Sequence, residues 1–288
     1  MPKINDALII KYNGIDVIRA VYNGVDVWVN GPVFDVDAAD YISRVELADE
    51  QELELSVKLA YDSFFRGVKT DGDFTKLKSA CILAGARTLA GALVPLVAGM
   101  PAPTNVGFVA GDRSRATGLK GNGTSKYLNL NRTNNADPLN NAHSAVYITQ
   151  IGGGFHVVMS DGSGTVTVPS RQIYHNIGAT GYILRNRSSE ANQREIAGTT
   201  GFVGSSRNNS SNFQVLSPTG SEITASFASN VAPTRRTFLL GHNTGSTADN
   251  NPNVFASNRV LFYSIGEAVN LTNLRSRLNT LAADLSTL

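Results

Sequence analysis

From about Ser79 to Gly266 the chain repeats one pattern, a short apolar run closed by Gly, Asn, Ser or Thr. The runs fall at residues 80–84, 89–96, 106–109, 126–130, 145–150 and 155–159. They continue at 165–168, 181–184, 201–203, 213–216, 223–227, 237–241 and 259–265. Turn pairs such as Asn122-Gly123, Asp161-Gly162 and Ser163-Gly164 separate them. Apolar runs of this length, bounded by turn residues and not alternating with helices, predict short antiparallel strands closing into a two-sheet sandwich.

Two flanking regions carry other patterns. Tyr12-Asn13-Gly14-Ile15-Asp16-Val17 recurs ten residues later as Tyr22-Asn23-Gly24-Val25-Asp26-Val27. Asn-Gly between apolar runs is the strongest short hairpin signal, because a type I′ turn needs positive φ at both central residues. Residues 1–34 therefore read as a small β-meander. Tyr12, Tyr22, Val27 and Trp28 are its candidate attachment face, since three strands bury too little on their own. That face packs on the chain's own helices or docks on a neighbouring subunit.

Residues 35–78 switch to a helical period, expected as a neck. Asp37 is a plausible N-cap for a stripe of Ala38, Tyr41, Ile42, Val45 and Ala48. A second helix is expected from Asp49, with an acidic first turn and the stripe Leu53, Val57, Ala60, Tyr61, Phe64 and Val68. The acids at 49–54 read as helix-start residues rather than metal ligands. The third expected unit is residues 79–288, the sandwich with a C-terminal helix at 270–288. Leu271, Leu274, Leu278, Leu281 and Leu285 alternate spacings of three and four there, about two and a half heptads. The stripe packs on the chain's own sandwich or forms a trimer seam.

Composition removes several functions. The charged content is 17% of 288 residues, and 25 Lys plus Arg balance 23 Asp plus Glu without a basic block. A nonspecific grip on nucleic acid is therefore not expected. The apolar stretch 89–100 contains Pro95 and is too short to span a bilayer, and no signal peptide is expected at the N-terminus. The one cysteine, Cys81, sits in an apolar run and reads as a small buried hydrophobe.

The segment from Cys81 to Leu96, with Ala102-Pro103-Thr104-Asn105 and Arg115 to Thr124, is similar to a recurring block in tailed-bacteriophage virion proteins. Lys126-Tyr127-Leu128, Asn135-Ala136-Asp137-Pro138, His143 and Arg259 to Glu267 continue the likeness, which covers roughly residues 35–288. The Tyr-Asn-Gly-Val-Asp-Val-Trp phrase at 22–28 resembles short β modules of tail and capsid appendages. The resemblance implies a concanavalin A-like, laminin-G-like jelly roll on a virion surface and supplies no catalytic residue. It also implies that, if calcium is held as in some laminin-G-like modules, Asp112 or Asp137 contributes.

Chemistry is hard to place on these residues. Retaining glycosidases on such sandwiches use paired carboxylates, typically Glu-x-Asp-x-x-Glu, and that motif is absent. His143, His156, His175 and His242 lack metal-ligand spacing. Gly152-Gly153-Gly154 precedes no helix, so it is no phosphate cradle. Asn-rich loops remain, with Asn134, Asn135, Asn208, Asn209, Asn250 and Asn251 as candidate surface-recognition residues. Their amides suit sugar hydroxyls, although Asn in loops also serves turn chemistry.

The expectation is a non-enzymatic virion structural protein without cofactor or metal, a tail fibre or tail-tip appendage and a homotrimer. Residues 1–34 would attach it to other virion proteins, and the sandwich would face neighbouring subunits or host-surface glycan. A capsid decoration or head-fibre protein, and a surface-glycan depolymerase, are the rival readings.

Overall fold

The computed structural model describes residues 9–12, 15–22, 25–30, 32–153, 156–162, 170–176, 181–244 and 252–288, with the backbone alone for 9–30, 156, 176 and 190. The meander is present as strands Ile9–Tyr12, Ile15–Tyr22 and Val25–Asn30, paired antiparallel in that order. Tyr12 pairs with Ile15 and Tyr22 with Val25, which leaves one Asn-Gly pair between each two strands.

Two larger antiparallel sheets make the sandwich. The inner sheet runs Ile223–Ala225, Phe213–Leu216, Gly201–Arg207, Ala142–Gln150, Arg259–Gly266, Gly118–Lys120 and Arg113–Ser114, with Leu77–Ile82 also paired to Arg259–Gly266. The outer sheet runs Arg194–Ala197, Gly181–Ser188, Ser170–Asn176, His156–Ser160, Arg236–Leu239, Tyr127–Thr133 and Thr104–Val106.

The inner sheet is covered on both sides. Val146, Val203, Tyr263 and Cys81 face the outer sheet and join Leu128, Leu130, Ile173 and Leu184 in one apolar core. Their sequence neighbours Ala145, Phe202, Phe262 and Ile82 face the opposite way, into a second core built with three helices. Successive strand residues point to opposite faces, so a middle-layer strand must be apolar at consecutive positions, as Arg259–Gly266 is. Cys81 lies fully buried as expected, 3.2 Å from the Tyr263 hydroxyl, and burial pushes its thiol up to about 12.

The helices are α1 (Val36–Asp49), α2 (Leu55–Thr70), the single turn α3 (Leu89–Ala92) and α4 (Leu271–Leu285). The expected neck is instead a third layer. Tyr41, Val45, Phe64 and Phe65 pack with Leu274 and Leu278 against Phe202 and Phe262 of the inner sheet. The rings of Phe64 and Phe262 meet edge to face at 5.6 Å. The sheet's second apolar face needs this cover, so the helices lie down on it rather than project.

Local details differ from expectation for physical reasons. Helix α1 is capped by Asp35, whose carboxylate accepts from the Asp37 N–H at 3.0 Å. It ends at Glu50 in the left-handed region (φ 53°), and α2 starts only after Glu54. Asp49 therefore opens no helix. It is buried and accepts from the N–H groups of Arg87 (2.6 Å) and Thr88 (2.8 Å). This bond set holds the start of α3, where a strand over 89–96 was expected. Thr88 caps the turn, and Gly91 fits because a Cβ there would collide with Asp49. The expected strand at 165–168 lies outside the described residues.

Candidate functional site

Asn-rich loops gather at one edge of the sandwich, and arginines at strand ends hold them from below. Arg171 and Arg187 come from neighbouring outer-sheet strands, and Arg207 ends an inner-sheet strand; all three side chains are fully buried. Arg187 Nη2 donates to the carbonyls of Asn134 (2.6 Å) and Asp137 (3.0 Å), its Nη1 to the carbonyl of Pro138, and its Nε to Asn134 Oδ1. Arg207 donates to the carbonyls of Asn186 (3.0 Å), Asn209 (3.2 Å), Asn212 (3.0 Å) and Phe227 (2.9 Å). A guanidinium carries five N–H donors in a fixed plane, so one arginine can fix several carbonyls of an irregular loop. Burial pulls Arg187 and Arg207 each down to about 10, which still leaves them charged at neutral pH.

Carboxylates complete the network. Arg171 donates to Asn134 Oδ1 at 3.0 Å and lies 3.5 Å from Asp137, which also accepts from Arg132. Burial works to raise the Asp137 carboxyl, but the Arg171 charge and the Arg132 hydrogen bond outweigh it and hold it below the usual range. Asp161 is fully buried; desolvation raises it to about 6 despite the Arg171 charge and the 2.7 Å bond from the Arg171 N–H. His143 bonds the Glu267 carbonyl at 2.5 Å and Ser264 Oγ at 2.9 Å, and burial lowers it to about 4.

Beside these loops a groove of about 430 Å³ is lined by Lys76, Asn141, Ser206, Asn208, Gln214, Glu222, Ala268, Val269 and Asn270. Ser206, Gln214 and Thr224 are register partners on three successive inner-sheet strands, so they form one polar row at its edge. Several lining groups are occupied internally. Asn141 accepts from the Ala268 N–H and donates to Glu267, Ser206 exchanges bonds with Val269, and Asn270 caps α4.

The sequence-derived candidates divide. Asn134 is no recognition residue: it is fully buried as the hub between Arg171 and Arg187, where its amide oxygen and carbonyl are worth more as acceptors than in water. Asn135 is exposed. Asn208 stands on the groove lip, and Asn209 turns inward to accept from the N–H groups of Ser211 and Asn212, both at 2.9 Å. Asn250 and Asn251 lie outside the described residues, as do the side chains of Tyr12, Tyr22, Val27 and Trp28, whose backbones are in the meander strands.

Leu271, Leu274, Leu278, Leu281 and Leu285 are buried in the chain's own helical layer, so this stripe offers no seam to another subunit. Asp112 pairs with Lys126 at 2.6 Å and Asp137 with its arginines, so each candidate calcium ligand is matched to a cation. Sequence reasoning missed Arg171, Arg187, Arg207, Gln214 and Glu222. Its available signal was an arginine in or closing an otherwise apolar strand, as in GYILRNRS and GFVGSSR.

No protein-family model and no curated protein matches the chain. Among solved structures it is similar to the botulinum neurotoxin serotype D binding domain, with TM-score 0.42 and 8% identity over 71% of this chain and 51% of that one. A mutant Trypanosoma rangeli sialidase with trans-sialidase activity gives 0.41 and 12% over 94% and 42%. Tailspike protein 2 from Escherichia coli O157:H7 bacteriophage CAB120 gives 0.32 and 12% over 59% and 25%. The chain thus spans about half or less of each of these. At such scores the likeness carries no argument about activity. No helix among the described residues is long and apolar enough to cross a membrane.

Proposed function

We propose that this chain is a non-enzymatic structural and recognition module of a phage particle, attached through residues 1–34 and presenting its Asn-rich loop edge to host-surface glycan or to neighbouring subunits. The observation that carries the reading is the fixing of that edge by Arg187 and Arg207, each through four bonds to the loops and adjoining chain. A surface held in place before contact loses little conformational entropy on binding, which favours recognition. The sequence likeness over residues 35–288 supports the particle setting.

The acids support the non-enzymatic part. Most glycoside hydrolases use two carboxyls facing each other across about 5 to 9.5 Å. Glu54, Asp112, Asp137 and Glu267 are instead each paired with Arg or Lys. His143, with both ring nitrogens engaged and the ring buried, is shut off from any substrate.

Antibody against residues 208–230 is expected to label the outside of intact particles, at the tail for an appendage or on the shell for a decoration protein. Particles assembled with a chain lacking residues 1–31 are expected to lose the label. Unlabelled particles, or new reducing ends when the purified chain is incubated with host polysaccharide, would overturn the reading.

A further inference from the structure

Three groove side chains keep unused hydrogen-bonding capacity of opposite kinds. Asn208 Oδ1 accepts from Asn209 at 3.0 Å and Gln214 Oε1 from Thr224 at 3.0 Å, which leaves the NH₂ group of each amide open as a donor. Glu222 takes one bond, from Thr272 at 3.4 Å on Oε2, and keeps Oε1 as an acceptor. An amide donor beside a carboxylate acceptor suits a hydroxyl group, which accepts from one and donates to the other. The groove's volume of about 430 Å³ lies in the range of small-ligand pockets, roughly 300–1,000 Å³.

Charge decides which hydroxyl-rich ligand fits. Lys76 is bound to Asp73 at 2.7 Å and Lys78 to Glu267 at 2.8 Å. Glu222, the other charged side chain of the lining, has no ion-pair partner among the described residues and is the charge that a ligand meets. A carboxylate-bearing or sulfated sugar would be repelled by that charge, whereas a neutral sugar would not. The lining holds no aromatic ring, so binding rests on hydrogen bonds, is weak at one site and gains from many copies.

The geometry points to this groove as a binding site for a neutral hexose or N-acetylhexosamine unit, held by Asn208, Gln214 and Glu222. This rests on the recognition reading above and names its ligand class. The test uses the full chain on a printed panel of neutral oligosaccharides ending in glucose, galactose, mannose or N-acetylglucosamine, beside acidic ones ending in glucuronate or sialate.

The wild type is expected to bind neutral glycans. Asn208→Ala and Gln214→Leu should each weaken binding about tenfold, the equivalent of one hydrogen bond, with unchanged melting temperature. Glu222→Gln should narrow the gap to the acidic glycans. Neutral-glycan binding undiminished in both amide variants would overturn the groove while leaving a recognition role standing. Preference for acidic glycans would overturn the ligand class, and no glycan binding by a chain that still labels particles would overturn this inference alone.

Discussion

The helical layer and the loop edge solve the same problem, holding irregular chain onto a sheet, with opposite chemistry. In the layer, α1, α2 and α4 cover the inner sheet with Leu, Val, Phe and Tyr. That attraction is non-directional and scales with area, at about 25 cal/mol per Å². At the loop edge, Arg171, Arg187 and Arg207 are buried at the expense of desolvation, and what they return is direction, since each N–H selects a particular carbonyl. A helix needs only to be held against the sheet, because its own hydrogen bonds define its shape. An Asn-rich loop has no such internal ladder, so its shape comes from the arginine beneath it.

Several measurements would break or sharpen this contrast. The largest effect is expected from Arg171→Met, which leaves Asp161 and part of Asp137 buried without their cation. A loss of about 3–5 kcal/mol in chemical denaturation is expected, and a loss under about 1 kcal/mol would remove the network's directional role. Leu278→Ala in the apolar layer should cost about 2–5 kcal/mol, yet leave hydrogen-exchange protection at residues 134–138 unchanged in native conditions. Loosening of those loops would mean that the two regions are not separate devices.

Asn134→Ala should cost about 1–3 kcal/mol by stripping acceptors from Arg171 and Arg187, and it should raise exchange at the loop edge while sparing α4. A fourth test is acid sensitivity. The folded-state values of His143 and His242 are depressed to about 4 by burial, so their contribution is present above about 6.5 and lost as pH falls. Asp161, raised to about 6, opposes this, since it destabilises the fold at neutral pH and is relieved as pH falls through 6. Taken over these three groups, the unfolded state binds about one proton more than the folded state between pH 6 and 5, a contribution of about 1.4 kcal/mol per pH unit to the slope. Asp161→Asn should steepen it towards twice that, and a shallower slope would contradict the assignment. The smallest effect is expected for Asn208→Ala, within about 0.5 kcal/mol, because the residue stands on the exposed lip.

Much of the fold was legible along the chain. Most of the apolar runs between 79 and 266 gave strands, with 89–96 the exception that became α3, the stripe from Ala38 to Val45 gave α1, and the leucines from 271 to 285 gave α4. The site was legible only in part. Asn208 fell on the groove, whereas Asn134 turned inward, and an amide carries no mark of which way it points. Its donors and acceptors serve water and a buried arginine equally well.

Local patterning decided where most strands and the longer helices lie, because apolar runs and the three-to-four spacing are properties of consecutive residues, whereas the short turn α3 needed the distant Asp49. Tertiary structure alone decided that the 35–70 helices lie on the inner sheet, that the leucine stripe is spent within the chain, and that Arg171 and Arg187 reach a loop dozens of residues away. These are pairings between distant segments. Their energy exists only once both partners have left water together, so no single stretch of sequence could record them.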